Sequence, residues 1–207
     1  MKGFRVILVG AIVFLQNAIY AQSDWEKFKE QSSPIKLWVL YHPFKAKKAL
    51  QVSLEAQKVA DSVAKTNLLD GDKAGGQVDA FRHAYWMARL HQEIGKNAAY
   101  SLGKAHEREN YKSFKKHKLE DGEVPDKASK EMDLFNNKKG LSYTQKGVLT
   151  LKKALVYKVV NAVLKGDLKI IKKDSLGNYT TCKGDIIPSE ELLHKWKNKK
   201  CIISSEN

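Results

Sequence analysis

The chain has 207 residues, 43% hydrophobic and 29% charged, proportions that exclude a disordered chain, a collagen-like repeat and a multi-pass membrane protein. Its 37 Lys and Arg outweigh 23 Asp and Glu to give a net +14. Of those cations 33 are Lys and only 4 are Arg, which argues against a base-reading nucleic-acid protein, because bidentate recognition of guanine or phosphate favours Arg.

At the amino end, Lys2 and Arg5 precede an uncharged apolar run over residues 6–15 and a more polar stretch over 16–21. That order predicts a secretory signal peptide over residues 1–21, cleaved after Ala21. The apolar run is well short of the roughly 20 residues a spanning helix needs, so no transmembrane anchor is expected after cleavage. The expected location is exported, periplasmic or extracellular. Removing residues 1–21 leaves 35 cations against 23 acids, or +12, so the excess charge belongs to the mature domain.

Residues 23–31 read as a short amphipathic segment, broken by Ser32, Ser33 and Pro34 and followed by a brief apolar stretch over 35–41. Pro43 then opens a long helix to about residue 66, with Phe44, Leu50, Leu54, Val59 and Val63 at near-helical spacing. Residues 67–76 are too rich in Gly and Asp to continue it and form a loop. Three helices are expected next, over 77–94 ended by Gly95, over 97–110, and over 126–138 ended by Gly140 in the C′ position that glycine favours. Between the last two, residues 111–125, with Lys112, Lys115, Lys116 and Lys118, read as a solvated loop.

Ser142 or Thr144 can cap a fifth helix carrying Val148, Leu151, Leu155, Val159, Ala162 and Val163 and stopping at Gly166. Residues 168–173 and 179–182 then read as two short strands about a turn, and Pro188 opens a last short helix to about Lys197. In an oxidising compartment Cys182 and Cys201, the only cysteines, are expected to pair as a tail clamp. The predicted fold is mainly α: a helical-bundle-like domain over residues 22–166, with a small C-terminal β-hairpin annex over 167–207.

Several polar side chains fall on faces that should be apolar. At about 100° per residue, Asp79, His83, Met87, Leu90 and Ile94 share one narrow stripe, with Trp86 beside it and Arg82 one position from its edge. A carboxylate four residues before an imidazole can orient the ring, raise its basicity or share a metal with it. His106 lies on the side carrying Ala98, Leu102 and Ala105, while Glu107 is expected to point roughly the other way. In the next helix Met132 and Phe135 mark the buried side, Asn136 lies close to it, and Asp133 and Asn137 are again i and i+4. Polar groups buried without partners cost about 1 to 3 kcal/mol each, so these residues satisfy one another or a ligand. Two imidazoles and two carboxylates suit a divalent ion such as Zn²⁺ held between helices. A buried His–Asp pair with Asn side chains capping helix ends explains the same residues without a metal.

The strings DAFRHAYW at 79–86, AHE at 105–107 and MDLFNNKKG at 132–140 resemble a bacterial domain-of-unknown-function family of exported proteins built on DAFRHAYW … AHE … MDLxNNxxG. The resemblance spans roughly residues 40–145 and marks Asp79, Arg82, His83, His106, Glu107, Asp133, Asn136 and Asn137 as a set. It implies no established activity.

Two functional classes follow. In the first, a metal-assisted hydrolase has Asp79, His83, His106 and Asp133 as ligands, Glu107 as general base and Arg82 holding a phosphate or carboxylate of an anionic envelope or extracellular substrate. In the second, a non-catalytic envelope protein uses the cluster for packing and its Lys-rich surface for anionic envelope components. A nucleic-acid partner is not expected. Oligomeric state is left open.

Overall fold

The computed structural model describes residues 26, 28–119 and 122–206. The expected signal peptide lies outside these residues. Helices dominate in chain order: α1 (Ser33–Tyr41), α2 (Pro43–Ala64), α3 (Gln77–Ile94), α4 (Lys96–Lys115), α5 (Lys127–Gly140) and α6 (Lys152–Leu164). A C-terminal annex follows, with β1 (Lys169–Ile171), α7 (Ser189–His194) and β2 (Ile202–Ser204). The fold is thus mainly α with a two-stranded antiparallel annex. Among the described residues no helix is long and apolar enough to cross a membrane.

The sequence explains why α3 is the axis. Twelve of its 18 residues are buried, and a helix buried nearly all round must be surrounded. On one side Phe81 and Tyr85 meet Ala56, Ala60 and Val63 of α2 and Leu155, Val159 and Val163 of α6. On the other, Met87, Leu90 and Ile94 meet Trp38 of α1 and Ala98, Leu102 and Ala105 of α4.

Pro43 has no amide proton and divides α1 from α2, with His42 at the break. Trp38 stacks on His42 at 4.7 Å and donates from Nε1 to Ser101 Oγ at 2.9 Å, fixing this corner to α4.

One charge in the α2–α3 interface is compensated. Arg89 is buried and reaches Glu55 at 2.8 Å and Glu93 at 3.0 Å, and the Tyr85 hydroxyl donates to Glu55 at 3.0 Å. Burial pushes the Glu55 carboxyl up, but hydrogen bonds from Arg89, Lys152 and Tyr85 outweigh it and hold it at about 2, against an ordinary 4.5. A depressed carboxylate contributes stability that is complete above about pH 4.5 and is lost as pH falls toward 2. Thermal unfolding followed across that window is expected to show a falling midpoint for the wild type and a flatter profile for Glu55→Gln.

Five sequence expectations need correction. The second strand partner of β1 is not residues 179–182 but β2, in the register Lys169 with Ser204 and Ile171 with Ile202. Tyr179 and Thr180 make only isolated bridges, to Lys173 and Ile186, because the Lys172 amide donates to the Cys201 carbonyl and gives that ladder position to the segment leading into β2. α4 runs on to Lys115, and α6 starts only at Lys152, leaving residues 142–151 irregular. Gly140 is not a left-handed C′ residue but the last residue of α5, where a Cβ would sit 2.2 Å from the Ala84 carbonyl oxygen. Phe135 faces outward beneath the ammonium groups of Lys139 and Lys169, because the inner face of α5 is taken by Met132, Asp133, Asn136 and Asn137.

A disulfide joins Cys182 and Cys201 across 19 residues. It holds Lys200 where its ammonium meets buried Asp126 at 2.8 Å and lies 3.7 Å over the Tyr179 ring. A loop of this size is worth roughly 3 kcal/mol through restriction of the unfolded chain. Replacing both cysteines with serine is expected to lower the unfolding free energy by about that amount in urea titrations, and reductant to have no further effect on the variant.

Candidate metal centre at the crossing of three helices

The loop before α3 places the first ligand candidates. Asp70 accepts from the amides of Asp72 at 2.8 Å and Gln77 at 2.7 Å, and Asp72 accepts from Ala74 at 2.9 Å, so short acidic side chains replace the missing helical partners. Gly75, at φ +89°, then turns its amide onto Asp79 Oδ2 at 2.8 Å. Asp79 is fixed by that amide and by Arg82, whose Nη2 meets Oδ1 at 2.6 Å.

One turn later, His83 is 3% exposed. Its Nδ1 lies 3.3 Å from Asn137 Oδ1 of α5. An amide oxygen only accepts, so Nδ1 carries the proton in this arrangement and Nε2 faces the carboxylates. Nε2 is 3.3 Å from Asp133 Oδ1 and 3.5 Å from Asp79 Oδ1, with Arg82 Nη2 also at 3.5 Å. The i, i+4 pair Asp133 and Asn137 therefore grips the two nitrogens of one ring.

The orientation of α5 has its own causes. Asp126 caps its first turn by accepting from Ser129 N at 2.9 Å, and the Lys127 amide donates to Trp196 O at 2.8 Å. Asn136 Nδ2 donates to Lys169 O, and Asn136 Oδ1 accepts from Lys169 N, both at 2.9 Å. Asn136 thus clamps the annex and does not belong to the cluster.

Asp79, His83 and Asp133 offer ligand atoms that all lie within 4.8 Å of one another, and all three residues are buried. Zinc bonds of about 2.0 to 2.2 Å give tetrahedral edges of roughly 3.3 to 3.5 Å, the separations found between Nε2 and the two carboxylates. Two buried carboxyl groups face one guanidinium there, a donor set of the charge type that suits a divalent ion. The residues present fit such an ion.

The family whose description reads domain of unknown function (DUF6973) matches residues 36–167. The chain belongs to this family. No curated protein and no solved structure matches it. Every candidate site residue lies inside the matched segment, while Lys200 and Trp196, which seat the α5 N-terminus, lie beyond it.

α4 departs from the sequence expectation. Glu107 is 1% exposed and points inward, one turn after Gly103, where a Cβ would stand 3.3 Å from Asn137 Nδ2. His106 is half-buried, its ring 6.1 Å from that of His83 and edge-on to Trp86 at 5.6 Å. It is not part of the ligand group.

Two cavities flank the cluster. Arg82, His83, Trp86 and His106 close one end of a groove of about 840 Å³ that runs beneath α1 and α2, a size usual for ligand pockets. On the other side Asp79, Arg82 and Asp133 border a cavity of about 40 Å³ with Glu123, Tyr179 and Lys200, enough for ordered water. The sequence pointed to neither cavity, because each is walled by segments far apart in the chain.

Proposed function

We propose that this chain is an exported, metal-assisted hydrolase of an anionic substrate. The observation that carries the reading is the convergence of Asp79 and Asp133 on His83 Nε2, at 3.5 and 3.3 Å, in a buried group whose ligand atoms all lie within 4.8 Å of one another. Asp79, His83 and Asp133 would hold the ion, and Asn137 would keep the imidazole oriented through Nδ1. A divalent ion there supplies Lewis-acid polarisation and lowers the pKa of water.

Hydrolysis adds the oxygen of water to an acyl or phosphoryl centre and delivers a proton to the leaving oxygen. His106 borders the groove with Glu109 Oε2 4.0 Å from its Nδ1, so it is the better-placed group to move that proton. Buried Glu107 lines neither cavity, which sets it apart from the general-base role expected of it. Arg82 borders both cavities and would meet the anionic group of the substrate.

The 2.6 Å contact of Arg82 with Asp79 supports a second reading, in which the cluster is a buried charge network without chemistry. Elemental analysis of protein made without an affinity tag separates the two. Near-stoichiometric zinc, and metal-dependent turnover of ester or phosphoester substrates, is the expected result. Protein that stays metal-free after Zn²⁺ is added would leave the charge network as the function of the cluster.

A further inference from the structure

Beside the groove lies a corner, joined to it through Leu40 and Pro43, that the hydrolase reading does not use. Leu37, Leu40 and Tyr41 recur at i, i+3 and i+4 on the outer face of α1, and Phe44 follows at the start of α2. They are exposed by 51, 68, 76 and 100%. Four large apolar side chains on one corner form a patch of the kind that soluble surfaces rarely leave bare.

The corner also carries a run of lysines, flanked by Glu30 and Glu55 and with Glu109 in the groove wall. Residues 31–54 contain Lys36, Lys45, Lys47 and Lys48 and no Asp or Glu. Leu40, Pro43, Lys47 and Leu50 belong at once to this corner and to the groove wall. Further in, the groove is lined by Ile35, Val39, Ala46 and Leu102 before it reaches Arg82 and His83. The corner does not flex freely, because Trp38 is hydrogen-bonded to α4.

We infer that the α1–α2 corner docks on a membrane containing anionic phospholipid, and that one acyl chain of such a lipid enters the groove with its headgroup end at Arg82 and His83. Apolar side chains ringed by Lys insert at the headgroup boundary, and each Lys near an anionic surface adds attraction. An apolar channel ending in a guanidinium and a candidate metal centre matches the two ends of an amphiphile. Docking stands by itself. That the lipid is also the substrate rests on the hydrolase reading.

The test uses residues 22–207, which include every described residue, with vesicles of phosphatidylcholine alone or mixed with phosphatidylglycerol. Cosedimentation is expected to be at least about tenfold stronger with the mixed vesicles. Phe44→Glu, at a fully exposed position, is expected to weaken it about tenfold. Phosphatidylglycerol with brominated acyl chains should quench tryptophan fluorescence, since Trp38 and Trp86 line the groove. The groove-filling variants Val39→Phe and Ala46→Phe, both further in than the corner, should lose that quenching and keep cosedimentation.

Equal binding to both vesicle types, indifference to Phe44→Glu, or quenching unchanged in both filled grooves would overturn the inference. So would quenching by a free brominated fatty acid without vesicle binding. Asp133→Asn separates this inference from the hydrolase reading, since Asp133 lies off the groove and the change should weaken zinc binding at least about a hundredfold and leave vesicle binding intact. A wild type that binds vesicles but no zinc removes the hydrolase reading alone.

Discussion

Gly140→Ala is expected to be the most destabilising single-methyl change in the protein. The added Cβ would meet the Ala84 carbonyl oxygen at 2.2 Å and its carbon and Cα at 2.8 Å, all of them backbone atoms at the crossing of α5 and α3. A flexible side chain could move aside, whereas here a helix must shift. Overpacking typically costs about 1 to 3 kcal/mol, and a backbone clash at the centre of the fold belongs at or above the upper end. Against a total stability of roughly 5 to 15 kcal/mol that is a large share, equivalent to a fall in Tm of about 10 °C. Gly147→Ala is the control, since Gly147 has φ +81° with nothing within 4 Å of an added Cβ. It should lose only about 1 to 2 kcal/mol of backbone preference. Equal midpoints for the two variants in thermal unfolding would show that α3 and α5 do not approach so closely.

The second large effect concerns His83. Its removal takes one of three donors from the candidate centre, so His83→Ala should abolish Zn²⁺ binding by isothermal titration, and Asp133→Asn should weaken it at least about a hundredfold. Stability reads the same site independently. A ligand that binds only the folded chain at a hundred times its Kd adds about 2.7 kcal/mol, so the wild type should gain several degrees on addition of Zn²⁺ and His83→Ala none. A charge network without metal predicts a different pattern. There Zn²⁺ would change neither protein, and His83→Ala would lose roughly 3 to 5 kcal/mol because Asp79 and Asp133 would confront each other with the imidazole gone.

The two variants also show which features a sequence can display. α3 was legible from end to end, because Gly76 and Gly95 punctuate a periodic stretch and its polar members Asp79 and His83 sit on the stripe they share with Met87. The opposition of Asp133 and Asn137 to His83 was legible only as two i, i+4 pairs. That they grip the same ring depends on the close α3–α5 crossing that Gly140 allows. α4 misled for a physical reason: its inner face carries Gly103, Glu107 and Asn110 beside its alanines, so a phase taken from apolar residues alone is rotated toward His106. Asn136 was misread because its partner, the backbone of Lys169, lies outside the motif. The groove left no periodic trace, since Ile35, Leu50 and Leu102 are brought together only by tertiary packing.

The seating of α5 has a consequence for timing. Its first turn is closed by the Trp196 carbonyl, and its capping Asp126 is held by Asn198 and Lys200, all of them synthesised well after α3 and α5. A chain emerging amino-terminus first can therefore wind α3 and set Asp79 beside His83 long before Asp133 has a fixed place. The third donor takes its place when residues 196–200 close on α5, so the candidate centre is completed after its first two members have met.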